Sequence, residues 1–489
     1  MLNVTKKDFV LKTQTLAVYK NTVESGLNLS AENLDKIISV GGFVAEPSCR
    51  VENGFLYLTG KVYFNVVFMG EELERLESGV KFDYKRAVDG TPQSARAAFS
   101  LTDVAVKEDG GMLYITAELI EEVTFSYAAP QKIVTGGNLL TKCADFDYDK
   151  VVSCHATFNG EEEFERAKIK KVLHTGVSAC VTNVVSGNDQ LVVEGQAYVS
   201  LYLLPISENG DIIKERLVVP FSYEIECVGA KEGDTCYAKC ATKGQTVKVL
   251  NVEESQNSQI SVAFSLDIFA CAVRKVKQSF VVDAMSCECE VDKVPSTFTV
   301  ESFVSQRRYT ERVLGRAICD VPEYSRLVTA MQDSVIVTQT DFSGAEVIIG
   351  GIIYVDCVFQ GDSGLVSRRA QMPFEIKLDK TAQTVSDVLV IIDNLTAKLK
   401  SGRIELDISL KVCFNESTQS SVTVIEDLIE GAEKSVYKSI ISVYMAKKGD
   451  TAWDVMRAMG EAEDVILEQN PHLCFPLSGT ERITVFRKN

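Results

Sequence analysis

Histidine is nearly missing from this chain: three occur in 489 residues, His155, His174 and His472. Most acid–base, triad and zinc chemistry leans on that side chain, so the shortage argues against a hydrolase or a metalloenzyme. Tryptophan occurs once and proline ten times. With no Gly/Ser-rich tract either, little sequence is available for loose linkers between domains. Positive charge is also short. Lys plus Arg total 51 against 68 Asp plus Glu, a net charge of −17, which would repel a phosphate backbone, so without a local basic patch no nucleic acid partner is expected. Short basic pairs such as Arg307-Arg308 and Arg368-Arg369 read as solvated surface.

No apolar run reaches the roughly 18 residues that a spanning helix needs. The strongest candidate, Val347 to Phe359, is shorter and contains Asp356, so no membrane insertion is expected. Residues Met1 to Asp8 carry no apolar stretch and no small-residue cleavage site, which leads to the expectation of a cytoplasmic chain. The fourteen cysteines then read as free thiols in a reducing compartment. Cys287-x-Cys289 and Cys236-x-x-x-Cys240 lack the partner ligands that zinc requires, so neither a metal nor a cofactor is expected. A nucleophile elbow, a P-loop and a dinucleotide-binding glycine fingerprint are all missing. No residue is assigned a catalytic role, and the chain reads as a non-enzyme.

What the chain does contain is itself, three times. Leu56 to Phe68, Leu191 to Leu203 and Val347 to Phe359 align without gaps, placing glycine at Gly60, Gly195 and Gly351 and tyrosine at Tyr63, Tyr198 and Tyr354. Each copy alternates with period two. Leu56, Leu58, Val62, Phe64, Val66 and Phe68 fall on one face, as do their counterparts in the other copies, which predicts a long strand with one face on a core. Glycine weakens a strand, so its recurrence predicts a bulge or bend. A second alternating strand follows in each copy, over Leu113 to Leu119, Ile260 to Leu266 and Ile404 to Leu410. Its opposite face is polar in the second and third copies, as in an antiparallel sheet with one wet face. Between the two strands lies a matched phenylalanine, Phe82, Phe221 or Phe374. Residues 1–30, alternating around Phe9, Leu11 and Leu16, are expected to supply a leading strand. Ser153-Cys154-His155 with Phe158 aligns with Ser286-Cys287-Glu288 with Phe298, and both stretches read as further strands. The expected architecture is mainly β, with three tandem homologous sandwich-like domains over residues 1–146, 147–281 and 282–436.

From about Ile441 the pattern changes. Val443 to Ala446 reads as a short strand and is followed by Lys447-Lys448-Gly449-Asp450-Thr451-Ala452-Trp453. Gly449 allows the positive φ of a tight turn, and Thr451 with Asp454 has capping-box spacing. Trp453, Met456 and Met459 recur at helical spacing. A second helix over Val465 to Leu467 ends at Asn470-Pro471, and Ile483 to Phe486 closes with a strand. The result is a βααβ module over residues 437–489, in which Trp453 reads as core.

This module resembles the LysM domain, through Lys448, Gly449, Asp450, Thr451, Trp453, Asn470 and Pro471 in that order. It departs from the family pattern at Ala452, where Leu is frequent, and after Pro476, where an adjacent Pro-Gly is common. The resemblance implies a binding groove between two loops, with candidate contacts Gly449, Asp450, Thr451, Ala452, Asn470, Pro471, His472 and Leu473. Three β-rich repeats followed by one such module resemble the SPOCS-domain proteins of spore-forming Firmicutes, which act in spore coat and envelope morphogenesis. That resemblance implies an adaptor in the mother-cell cytoplasm, recruited to the forespore surface. Its LysM-like module would bind the spore-coat morphogenetic ATPase, and its repeats would bind other coat proteins. The alternative reading is a peptidoglycan-binding protein of the wall or cortex, recognising N-acetylglucosamine glycans.

Overall fold

A computed structural model of the chain describes residues 3–206, 211–251, 256–323, 325–362, 364–433 and 440–486. The first six strands are β1 (Val4–Ser30), β2 (Ile37–Glu52), β3 (Phe55–Met69), β4 (Leu73–Ala87), β5 (Ser94–Asp109) and β6 (Met112–Gly137). They form two antiparallel three-stranded sheets, ordered β1-β6-β5 and β2-β3-β4. The next six are β7 (Leu140–Ala167), β8 (Ile169–Ser186), β9 (Gln190–Pro205), β10 (Ile213–Glu226), β11 (Thr235–Asn251) and β12 (Asn257–Met285). A third set follows: β13 (Cys289–Ala317), β14 (Arg326–Asp341), β15 (Glu346–Gly361), β16 (Gly364–Asp379), β17 (Thr384–Lys400) and β18 (Arg403–Glu433). Both later sets take the order of the first, β7-β12-β11 with β8-β9-β10, then β13-β18-β17 with β14-β15-β16. In each set the two sheets close on one core, such as that joining Leu191, Val199 and Phe221 to Ile260, Leu266 and Cys240.

The faces expected from alternation are the buried ones. Every named residue of the β3, β9 and β15 stripes is 7% exposed or less, and the β6, β12 and β18 stripes are equally covered. The expected boundaries fare differently: 146/147 and 281/282 fall inside the continuous strands β7 and β12. The chain instead turns between sets near Asn138 and at 286–288. The boundary at 436/437 and the side chain of Leu11 lie outside the described residues.

The recurring glycines and phenylalanines turn out to be one device. Gly60 pairs directly across the sheet with Phe82, Gly195 with Phe221 and Gly351 with Phe374. Each phenylalanine lays its ring over its glycine, where no side chain obstructs it. A Cβ on Gly60 would stand 2.6 Å from the Phe82 ring, and one on Gly351 2.7 Å from the Phe374 ring. On the other side of each glycine the partner strand carries a bulge, between Ala45 and Ser48, Val181 and Asn183, and Val337 and Gln339. Glycine is kept here for space and not for an unusual φ. The three tyrosines sit on the opposite face, where Tyr63 stacks on Phe43 at 5.5 Å and the Tyr198 hydroxyl donates to Gln196 Oε1 at 2.8 Å.

Alternation missed the way the three sets meet. Val67, Tyr202 and Val358 occupy the same register position on the outer faces of β3, β9 and β15, yet all are buried. Together with Ile38, Leu173 and Met331 they form one apolar cluster drawn from all three sets. Polar contacts close the ring. Asn65 Nδ2 lies 3.2 Å from His174 Nδ1, and the equivalent Asp356 accepts from Ser39 Oγ at 3.0 Å. The Tyr202 hydroxyl donates to the Ala330 carbonyl at 2.8 Å. Asp387 touches all three sets at once, accepting from Asn415 of its own and meeting Arg96 of the first and Lys239 of the second. Each set thus contacts both others, and the arrangement is a closed ring with approximate three-fold character. Burial within it keeps His174 neutral, with its pKa lowered to about 3 by desolvation and by nearby Arg75.

The longest strands run past the sandwiches as three hairpin-like antiparallel pairs, β1/β6, β7/β12 and β13/β18, the two strands of each being joined through the four strands between them. Phe9, Phe146 and Phe298 share one register position on these hairpins, and Ile133, Phe280 and Val424 share another. All six lie in a second shared cluster. Phe9 meets Phe280 edge-on at 5.0 Å and stacks on Phe298 at 5.9 Å. One residue further along, Val134, Val281 and Ile425 are buried on the other side, as strand alternation requires, and β6, β12 and β18 are each bulged immediately after them. This register corrects the alignment of Phe158 with Phe298: Phe158 pairs with Leu266 inside its own sandwich, and the counterpart of Phe298 is Phe146. The stretches around Ser153 and Phe298 do lie in strands, whereas 286–288 form the turn between sets.

Candidate partner-binding site

The C-terminal unit consists of β19 (Ile441–Ala446), α1 (Ala452–Met459), α2 (Glu463–Gln469) and β20 (Glu481–Phe486), the two strands pairing antiparallel. Its core gathers Ala446, Trp453, Val455, Met456, Ile466, Leu473, Leu477, Ile483 and Val485. Gly449 takes φ +93°, the left-handed value that makes the turn after β19 possible. Thr451 caps α1. Its hydroxyl accepts from the Asp454 amide, and the Asp454 side chain accepts in return from the Thr451 amide at 2.9 Å. Hydrogen bonds from the Thr451 side chain and then its backbone hold the Asp454 carboxyl below its usual pKa.

The two candidate loops divide into residues turned inward and residues left outside. Asp450 accepts from the Tyr444 hydroxyl at 3.1 Å and the Lys447 amide at 2.8 Å, so its carboxylate organises the turn. Gly449 N donates to Leu477 O and Leu477 N to Asp450 O, which ties the first loop to the stretch before β20. Asn470 is buried; its Nδ2 donates to the carbonyls of Ile466 and Thr484 at 2.9 Å each, and its Oδ1 accepts from the Thr484 amide. It therefore joins the end of α2 to β20. Leu473 is core. Thr451, Pro471 and His472 remain exposed and Ala452 is half-buried. The loops come together in space, but the polar side chains of Asp450 and Asn470 serve the unit's own architecture.

Trp453 faces neither loop surface nor solvent; it is 7% exposed. Its indole Nε1 donates to Asp283 Oδ2 at 3.0 Å, near the end of β12. Leu140 and Met285, the last pair of the β7/β12 hairpin, pack against the same core, and Cys287 Sγ donates to the Gly460 carbonyl at 2.9 Å. The positions equivalent to Leu140 and Met285 in the other hairpins are Asn3 with Asn138 and Asp292 with Ile429. They offer no such apolar pair, which explains why the unit sits on this hairpin. Burial alone would raise the Asp283 pKa, but hydrogen bonds from Lys293 and Trp453 outweigh it and hold the carboxyl below its usual range.

A carboxylate lowered on folding stabilises fully above the ordinary Asp value of about 3.9, and that stabilisation is lost as the pH falls through the lower folded value. Asp283→Ala should weaken the anchorage by about 1.5–3 kcal/mol, the worth of a hydrogen bond to a charged group. Because the chain has a single tryptophan, its emission reads this contact directly. The variant should be red-shifted at neutral pH, and the wild type should acquire the same shift below about pH 4. Identical emission from both proteins at pH 7 would show that the contact does not hold the unit in place.

The fourteen cysteines are all free thiols. Cys287 is exposed and Cys289 buried, so the two do not share a face. Among the described residues no three His, Cys, Asp or Glu side chains gather into a metal-binding set, and no helix is long and apolar enough to cross a membrane. Comparison with protein families, with curated proteins and with solved structures finds no match to this chain.

Proposed function

We propose that the chain is a non-enzymatic adaptor of spore coat or spore-envelope assembly, built from three tandem SPOCS-type β domains and a terminal LysM-like domain. It would act in the mother-cell cytoplasm and be recruited to the forespore surface. The observation that carries this reading is the architecture. One six-strand order recurs three times and is followed by a strand–helix–helix–strand unit with the Gly449 turn and the Thr451 cap. In this reading the loops 449–452 and 470–473 bind the spore-coat morphogenetic ATPase, and the ring of repeats takes other coat proteins. The commitment of Asp450 and Asn470 to internal hydrogen bonds favours a protein over a glycan, since a sugar groove needs free polar groups to orient its ligand. Rigid tethering of several modest interfaces would raise effective concentration without any single tight contact.

The test uses the full chain and the purified coat ATPase in a pull-down, with peptidoglycan sedimentation in parallel. The wild type should bind the ATPase, and Pro471→Glu with His472→Glu should weaken that binding at least tenfold. Sedimentation with peptidoglycan, without ATPase binding, would replace this reading with the glycan-binding one.

A further inference from the structure

The C-terminal unit is fastened to the β7/β12 hairpin through Trp453 and Gly460, on its helical side. The other face of its two-stranded sheet points away from the ring. Cross-strand partners share a face, so Ile441 with Phe486, Val443 with Thr484 and Met445 with Arg482 all lie together there. Within the full chain Ile441, Val443, Met445 and Phe486 are 50%, 49%, 59% and 57% exposed. An exposed apolar patch of this kind marks an interaction surface. The rim is basic: Arg482 lies on the face itself, and Lys447 and Lys448 follow immediately where β19 ends, all three exposed. Among the described residues none of them is in an ion pair. On a chain of net charge −17, this is positive charge placed beside the largest run of uncovered aliphatic side chains in the C-terminal unit.

The geometry points to a docking surface for an acidic amphipathic segment of a partner protein, one apolar side lying on Ile441, Val443, Met445 and Phe486 and its carboxylates meeting Arg482, Lys447 and Lys448. Six residues of strand span about 20 Å, the length of roughly 13 residues of helix, so about three and a half turns would cover the sheet. Charge complementarity would steer encounter and set specificity, while the apolar face supplies the contact. This surface is separate from the two loops proposed to bind the ATPase and does not depend on that partner's identity.

The experiment measures binding of a labelled 14-residue peptide, leucines at helical spacing and glutamates elsewhere, to the full chain by fluorescence anisotropy. The control peptide carries lysine in place of every glutamate, and phosphatidylglycerol vesicles form a third arm. The acidic peptide should bind at least tenfold more tightly than the lysine peptide, more weakly as salt rises, and at least tenfold more weakly to Val443→Glu. Trp453 emission would verify that the variant retains its fold. Should Val443→Glu unfold, the surface pair Lys448→Glu with Arg482→Glu gives the same test and should reverse the preference between peptides. Equal binding of both peptides, indifference to these substitutions, or vesicle binding that the substitutions abolish while neither peptide binds would each overturn the proposal. Peptide binding retained alongside failure to bind the ATPase would leave this surface standing and remove only the adaptor reading above.

Discussion

Phe280→Ala should lower the stability of the whole chain by about 3–5 kcal/mol, the usual cost of truncating a well-packed aromatic core residue. The ring is 3% exposed and meets Phe9 at 5.0 Å, Phe146 at 5.8 Å and Phe298 at 6.3 Å. Those neighbours belong to three different hairpins, so the cavity would open where the sets meet. Urea unfolding followed by far-ultraviolet circular dichroism and by Trp453 emission would read the effect. If the ring is one cooperative body, the two probes should shift together. A cost below 1 kcal/mol would mean that the hairpins are held by other contacts.

Gly195→Ala should also destabilise the chain, by about 1–3 kcal/mol for overpacking, and it should not be rescued by trimming the facing ring. The added Cβ would run into Phe221 and would also stand 2.5 Å from the Cys180 carbonyl, which belongs to backbone and cannot turn aside. At Gly60 the corresponding carbonyl, that of Ala45, is 3.4 Å away, and the ring of Phe82 is the main obstacle. Gly60→Ala should therefore recover part of its loss when combined with Phe82→Leu, whereas Gly195→Ala with Phe221→Leu should not. Thermal midpoints of the four variants decide the matter. Equal rescue at both sites would show that ring clash alone accounts for the glycines.

The difference between these two sites marks where sequence reasoning stops. Period-two alternation over Leu56 to Phe68 identified the core face, because burial of one face against water is a local property of a strand. The same stripe could not announce that Gly60 and Phe82 are cross-strand partners, since register depends on the turn between them. Nor could it place Val67, Tyr202 and Val358 inside a shared core: their neighbours come from another repeat, far away in sequence. A trace was present where alternation fails, at Val66-Val67-Phe68, Leu201-Tyr202-Leu203 and Cys357-Val358-Phe359, each apolar on both faces. Phe158 resembles Phe298 in sequence because both follow a Ser-Cys pair, and only strand pairing separates that coincidence from the true counterpart, Phe146.

In the C-terminal unit, turn and cap chemistry at Gly449, Thr451 and Asp454 was legible because it is settled within four residues. The inward role of Asn470 was not, since its partner Thr484 lies in another element, β20; Asp450 turns inward to the nearby Lys447 amide, which spacing alone does not distinguish from an outward-facing loop carboxylate. The uncovered stripe of β19 went unread for a related reason. Ile441, Val443 and Met445 look like core residues until the helices are seen to cover the other side.

One hairpin of three carries the C-terminal unit, because Leu140, Met285 and Asp283 occur together only there. A body that is nearly the same from three sides thereby acquires a front. Copies laid side by side on a curved shell would be indistinguishable in outline at three rotations, yet just one rotation would turn the handle toward a given neighbour. Orientation within such a layer would be chosen by a single tryptophan-bearing appendage, and severing it would leave the tile intact but without a bearing.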